Sequence, residues 1–498
     1  MSEPKDPEFY RLLRKATKEG LSLVENLVKR GEKFPRYEYF KMDTYSHSGK
    51  GLPFFSPIMK EKGPNDYKNA FGDNESFRIR IDKLESVTEL LKYVRSNIAI
   101  RNFYTDTEPK YREVTVEIGI HDVVKTLVDR YIHLYDRFDL VDRLFLKIYL
   151  PIETYIYSSD LAFDVVIPIL FLGFDFEETS FPQFKVEIVR MSEKFQRARI
   201  QNVNVWHRSQ IPTIGAATHA IVFKKWYTEK SINDLLTGIL FNEILPYDEK
   251  PKYYADCFFA ALRIATDCNT GYAQVLLRPD GWANDYTADL PDLKGASLDN
   301  SHTFLHYASI PEQTKKLNLI QTKMSVNIFA NIISSKNNKL RIAINRLNLC
   351  YERQNEEDAI IDATIGIEAL LSDDNNQEII HKLALRIAAL SELDTLVKED
   401  AKVIFKQVKE IYSFRSAVVH GSAKSKDKRE IKLSKKTVVP TVKKGMEYLR
   451  MIIRVLLNHP RYQDPRVIDS ELLLGRMNHE LSRSKKNVSK TLKSRYRK

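Results

Sequence analysis

The sequence predicts an α+β protein in which a mixed α/β region comes first and an all-α helical bundle follows. Three observations predict it. Between about residues 75 and 290, several short apolar runs alternate with polar residues, the period-two signature of half-buried strands. Beyond about residue 312 that alternation stops, and apolar residues recur every three to four positions between polar breaks. At 498 residues the chain is long enough for two to four domains, each with its own core.

In order along the chain, residues 7–31 have a helical pattern, followed to about residue 70 by a loop region punctuated by Pro and Gly. Strands are predicted at SFRIRI (76–81), VTVEIGI (114–120), LFLKIYL (144–150), FKVEIV (184–189) and AIVFKKW (220–226). A helix at 122–136 carries Val123, Val124, Leu127, Tyr131 and Leu134. The C-terminal helices are predicted at 312–334, 338–353, 356–372, 377–392, 396–418 and 438–458, with breaks at Asp373–Asn376 and Ser391–Thr395. These patterns divide the chain into 1–320 (mixed α/β, one or two domains), 321–460 (helical bundle) and 461–498 (an extension). The last sixteen residues, Arg483 to Lys498, hold eight Lys or Arg and no acid, the composition of a disordered basic tail.

Composition narrows the functional classes. The formal net charge is +12, which favours polyanionic partners. With 25 Tyr and 25 Phe, the chain is not one of wholesale disorder. Cys257, Cys268 and Cys350 are too few and scattered for a disulfide framework or a zinc site, and fit a reducing compartment. The N-terminus lacks the apolar stretch of a signal peptide. The longest apolar run, Val165–Phe174, contains Pro168 and falls far short of the roughly twenty residues that span a bilayer. A cytoplasmic protein that does not enter membranes is expected.

The chemistry-bearing candidates lie near the C-terminus. Arg415 precedes His420 by five positions, a spacing that suits metal-free phosphodiester cleavage: the histidine moves a proton and the arginine neutralises phosphate charge. Chance supplies about one such pair in a chain of this composition, and a second copy, Arg454 and His459, does exist. Context separates them. The helix at 396–418 carries an apolar stripe of Val397, Ala401, Ile404, Val408 and Ile411, whose next member is Phe414 or Arg415. An arginine there calls for an anion, whether an interhelical carboxylate or a phosphate. Five residues on an ideal helix leave Arg415 and His420 about 140° apart. Gly421 can terminate the helix and let His420 swing, or the pair can meet its counterpart across a dimer interface. Arg454–His459 ends a strongly apolar helix before Pro460, which helix termination explains. Glu368, in the apolar helix AIIDATIGIEALL (359–371), is expected to be buried and to orient Arg415. No Gly-rich phosphate loop or metal cluster stands out, and His302 and His306, although spaced i, i+4, have no adjacent glutamate, so neither metal nor cofactor is expected.

AIIDATIGIEALL, HKLALRIAAL (381–390) and IYSFRSAVVHG (411–421), in that order, resemble the HEPN superfamily, and more narrowly its ApeA-like branch associated with anti-phage defence. The resemblance covers roughly 338–460. It implies an HEPN-like bundle and a metal-independent endoribonuclease acting as a homodimer or higher homo-oligomer. Arg415 would stabilise the transition state, His420 would handle the proton, and the RNA's own 2′-hydroxyl would be the nucleophile. Ser416 matches the polar residue that often follows the arginine. It further implies an abortive-infection effector that cleaves RNA, with tRNA as one candidate, after a phage-derived trigger reaches the N-terminal region. The segment 421–444 adds nine Lys or Arg against two acids, and its Lys424, Lys426, Lys428 and Arg429 could track an RNA backbone or simply be solvated. The competing reading is a non-catalytic HEPN-like module for dimerisation or nucleic-acid binding, with Arg415 as an ion-pair partner.

Overall fold

The computed structural model describes residues 3–43, 51–74, 76–104, 112–203, 205–229, 249–297, 314–353, 355–373, 378–433 and 437–475. The chain is α+β and divides into two compact units, Met1–Lys252 with Gly271–Lys316, and Tyr253–Thr270 with Leu317–Lys498. The segment Tyr253–Thr270, which the sequence pattern leaves within the first 320 residues, thus groups with the C-terminal helices.

In the first unit, α1 (Pro7–Lys29) starts where the Asp6 carboxylate accepts the Phe9 amide. Its apolar face, with Phe9, Leu12, Leu13 and Leu21, packs in one core with α2 (Glu85–Ser96), α3 (Arg112–Tyr135) and α4 (Asp142–Tyr157). Two predicted strands are corrected here. VTVEIGI lies inside α3, where Val116, Ile120, Val124, Leu127 and Tyr131 form a helical stripe of buried residues. LFLKIYL lies inside α4, with Phe145, Ile148, Tyr149 and Ile152 buried at helical spacing. Packing against α1 overrides the β-branched propensity of both segments. At 76–81 only Ile79–Arg80 is extended. The supposed loop before residue 70 contains an antiparallel pair, β1 (Arg36–Asp43) and β2 (Phe54–Asn65), whose irregular register accommodates the prolines and glycine of β2.

The unit's main sheet is antiparallel and six-stranded. Its strands are β3 (Asp160–Leu170), β4 (Glu178–Phe181), β5 (Val186–Arg190), β6 (Ala217–Glu229), β7 (Gln274–Pro279) and β8 (Lys294–Ser297), in the order β8-β7-β3-β6-β5-β4. The runs at 184–189 and 220–226 are strands as expected, β5 and β6. Central β3 is buried from Asp164 to its end, which is why its sequence is continuously apolar rather than alternating.

The second unit contains α5 (Glu249–Thr266, entering at Tyr253), α6 (Leu319–Ser334), α7 (Asn338–Glu352), α8 (Glu356–Leu371), α9 (Ile379–Ser391), α10 (Ala401–Val419) and α11 (Thr441–Asn458). Two helices begin later than their patterns suggest, because polar caps set the start. A reciprocal cap between Asn318 and Gln321 opens α6, and the Asp400 carboxylate accepting the Lys402 amide opens α10. Helix α8 is central, packed against α7, α10 and α11. A β-carbon at Gly366 would lie 2.9 Å from a Leu449 methyl, so its absence lets α8 and α11 approach closely.

Buried charges tie the bundle together. Asp362 of α8, 2% exposed, accepts from Arg346 at 2.7 Å and Arg353 at 2.9 Å. Arg386 of α9, also 2% exposed, grips both Asp469 oxygens at 2.8 and 2.6 Å, Asp373 at 2.6 Å and the Leu371 carbonyl at 2.6 Å. Between α10 and α11 the basic segment forms a 3₁₀ turn (Ala423–Lys428) and a ribbon pairing Glu430–Lys432 with Val438–Pro440, so the last helix starts at Thr441 rather than at 438. Among the described residues no helix is long and apolar enough to cross a membrane. The tail Arg483–Lys498 lies outside the described residues.

Candidate active site

Helix α10 buries Ile404, Val408, Ile411, Phe414 and Ala417 along one stripe. Phe414 therefore continues the apolar face, and Arg415 stands at its edge with its side chain 35% exposed. The helix ends as Gly421 allows. His420 is the last residue of the turn, and Gly421 adopts φ 61°, the left-handed conformation that glycine accepts without strain. The Gly421 amide donates to the Val418 carbonyl at 3.0 Å and the Ser422 amide to Ala417 at 2.8 Å, the paired bonds of a Schellman ending. The Ser416 carbonyl accepts the His420 amide at 3.1 Å. The imidazole is exposed and makes no hydrogen bond or ion pair among the described residues.

Arg415 meets Glu368 loosely. Their nearest charged atoms are 3.9 Å apart, beyond hydrogen-bond distance, and among the described residues the buried Nε of Arg415 has no partner. Arg386, held by two carboxylates and a carbonyl, shows what a committed arginine looks like in this unit. Arg454 is another: it binds Asp394 through Nε at 2.9 Å and through a terminal nitrogen, and gives a third bond to the Ile264 carbonyl at 2.8 Å. The second Arg/His spacing is thus accounted for by structure, with His459 capping α11. Arg415 keeps its charge available.

Glu368 is half-buried, 26% exposed, rather than buried as expected. It lies on the flank of α8 that includes Ile361, Ile365 and Ala369, all only partly covered, while Ile360, Ala363 and Ile367 take the interior. Burial raises its carboxyl above the ordinary value of 4.5, against the opposing pulls of Arg415 and Tyr412. Tyr412, one turn before Arg415 and 2% exposed, lies close enough to act on that carboxyl without completing a hydrogen bond. Burial and the neighbouring Glu368 charge push its hydroxyl well above 10, so it stays protonated. Sequence reasoning assigned Tyr412 no role, because a tyrosine at a stripe position reads as core. Its signal was the spacing of three from Arg415, which sets both over the same stretch of α8.

The raised Glu368 value has a testable sign. A carboxyl whose folded pKa exceeds its unfolded one stabilises the fold at low pH and loses that contribution as pH rises through the folded value. Glu368→Gln is therefore expected to match or exceed the wild type in stability near pH 7, with the gain shrinking as pH falls through the raised folded value toward 4.5. Unfolding midpoints across that range check it. A variant clearly less stable than wild type at neutral pH would mean that Arg415 holds Glu368 tightly as a carboxylate.

The basic segment is only partly available. Arg429 is paired with Glu357 at 3.0 Å, and Lys428 donates to the Ser413 carbonyl at 3.4 Å. Lys426 is exposed, and the side chain of Lys424 lies outside the described residues. So do His302 and His306. Among the described residues, no group of three or more His, Cys, Asp or Glu is placed to hold a metal ion. Arg415 and His420 stand five residues, about 1.4 turns, apart at a helix end, with no bond between them.

The chain matches no protein-family model, no curated protein and no solved structure. The site must therefore be read from its own chemistry. One loosely held guanidinium and one exposed imidazole can stabilise a phosphate's developing charge and move a proton, provided that both reach the same phosphate.

Proposed function

We propose that this chain is a metal-independent endoribonuclease of the HEPN kind, acting in the cytoplasm as an anti-phage effector, with Arg415 and His420 as its catalytic residues. The observation that carries the reading is the contrast between Arg415, whose guanidinium has no hydrogen-bonded carboxylate, and the fully engaged Arg386 and Arg454. In the reaction the RNA 2′-oxygen attacks the adjacent phosphorus and the bond to the 5′-oxygen breaks, leaving a 2′,3′-cyclic phosphate and a 5′-hydroxyl. Arg415 offsets the charge that builds on the non-bridging oxygens. An imidazole takes the 2′-hydroxyl proton, and another returns a proton to the leaving 5′-oxygen. A homodimer supplies both imidazoles from two copies of His420. Half-covered Ile361, Ile365 and Ala369 on the Glu368 flank of α8, and Val419 at 52% exposure, support such an association. Glu368 orients Arg415, Ser416 lies beside it, and Lys426 meets the RNA backbone. The N-terminal unit receives a phage-derived trigger, and RNA cleavage, with tRNA a candidate substrate, then arrests growth.

The second reading is a non-catalytic dimerisation or nucleic-acid-binding module, favoured by the absence of any bond between Arg415 and His420 within one chain. Incubating the protein with total RNA separates the two. Cleavage is expected, with cyclic-phosphate ends and with activity unchanged by EDTA. Binding without cleavage would establish the second reading, and loss of cleavage on chelation would sink the mechanism.

A further inference from the structure

A cavity of about 370 Å³ in the first unit has a composition that the proposed nuclease chemistry does not use. It lies where α3, α4 and the end of β7 meet the turn that follows β7. Its wall includes Arg130, Lys147, Arg278, Trp282, Tyr286 and Asp292.

The charges around it do not cancel. Arg130 projects over the Tyr286 ring, 4.7 Å from its centre. One terminal nitrogen donates to the Ala288 and Leu290 carbonyls, both at 2.7 Å, while its buried Nε has no partner. Among the described residues no carboxylate lies within ion-pair distance of it. A half-buried guanidinium whose hydrogen bonds go to carbonyls, with Asp289 and Asp292 acting on it only beyond ion-pair distance, gains from an anion in the cavity. Lys147 is exposed and likewise has no acidic partner among the described residues. Arg278 pairs with Asp164 at 2.7 Å, a carboxylate it shares with Lys224, which also meets Glu187 at 3.5 Å, so the excess charge at the wall is that of Arg130 and Lys147. The wall's own acid, Asp292, is matched by Lys294 at 2.8 Å.

The aromatic part of the wall is held in place, with Trp282 4% and Tyr286 7% exposed. Trp282 donates through its indole nitrogen to the Ala162 carbonyl at 2.5 Å and stacks on Tyr155 with ring centres 5.2 Å apart. The Tyr286 hydroxyl donates to the Ile148 carbonyl at 3.1 Å. Gly281, with φ 76°, makes the turn that delivers Trp282, and the Ala283 amide fixes the following residue to the Pro151 carbonyl at 3.0 Å. Asp292 keeps one enclosed oxygen without a partner, an acceptor for a ligand hydroxyl. The volume is at the small end of ligand pockets, which run from about 300 to 1,000 Å³.

We infer that this cavity binds a mononucleotide, its phosphate met by Arg130, Lys147 and Arg278 and its planar base by the aromatic wall. A bare inorganic anion would leave the aromatic part of the wall unused. The site is independent of the reading proposed for Arg415 and His420.

Titration of the full-length protein with AMP, adenosine and inorganic phosphate, followed by tryptophan fluorescence and calorimetry, tests the assignment. AMP is expected to bind at least tenfold more tightly than either fragment and to raise the unfolding midpoint. Lys147→Glu, at an exposed position, is expected to weaken AMP at least tenfold with the unfolding midpoint of the free protein unchanged. Arg130→Lys, which keeps a positive charge if the two carbonyl bonds are disturbed, should weaken it comparably. No saturable binding of AMP, equal binding of AMP and adenosine, or full affinity in Lys147→Glu would each overturn the inference.

Discussion

Arg415→Ala and His420→Ala are each expected to abolish measurable RNA cleavage while the helical unit stays folded. The sizes follow from the separate roles. Losing a proton-transfer group costs about 10²- to 10⁴-fold in rate, and losing a transition-state charge partner about 10²- to 10³-fold. Neither change should harm folding. Among the described residues, the exposed His420 side chain is bonded to nothing and Arg415 makes only the 3.9 Å approach to Glu368. Paired measurements of cleavage and of circular dichroism melting separate chemistry from stability. If either variant cleaves RNA at the wild-type rate, the catalytic assignment fails. Mixing the two inactive variants adds a further check on the dimer. The mixed dimer keeps one arginine and only one histidine, so it should stay inactive if both imidazoles are required, and recovered activity would show that a single His420 suffices.

Arg386→Ala is expected to destabilise the second unit strongly. Breaking a buried ion pair usually costs about 3–5 kcal/mol, because the abandoned charges keep their desolvation penalty. Asp469 and Asp373 are partly exposed, at 40% and 23%, and can rehydrate, so about 3 kcal/mol is expected. The Leu371 carbonyl at the end of α8 loses its donor as well. Arg386→Lys should recover only part of the loss, since an ammonium cannot span Asp469, Asp373 and the carbonyl as the planar fork does. Urea unfolding of the three proteins measures this. A shift under about 0.5 kcal/mol for the alanine variant would show that the network is not holding α9 to its neighbours.

The C-terminal helices were legible because they carry apolar stripes and several have a polar start. Asn337, Asn355 and Asp400 cap α7, α8 and α10 through their side chains, and Gly421 closes α10. The first unit was less legible for two opposite reasons. In VTVEIGI, alternation over seven residues fits either a strand or part of a helical stripe, and only contact with α1 decides. In β3, cover on both faces erases the alternation that would have marked a strand. At the candidate site, Glu368 and Arg415 stood out as charges on apolar helices, and the structure brings them near each other. The degree of their engagement could not be read from sequence, since it depends on a few tenths of an ångström between side-chain ends. Nor could the cavity beside Arg130, whose wall is assembled from residues more than 160 positions apart.

The Schellman ending at Gly421 has a consequence for how the Arg415–His420 interval should be understood. The glycine fixes where the helix stops, and His420 takes its direction from that stop. Each helical residue turns the chain by about 100°. A residue inserted ahead of Gly421 would swing the imidazole to another side of the bundle, whereas one inserted after Ser422 would only lengthen the path to the ribbon. The interval is therefore an angle rather than a length, and tolerance of insertions should change abruptly at one peptide bond.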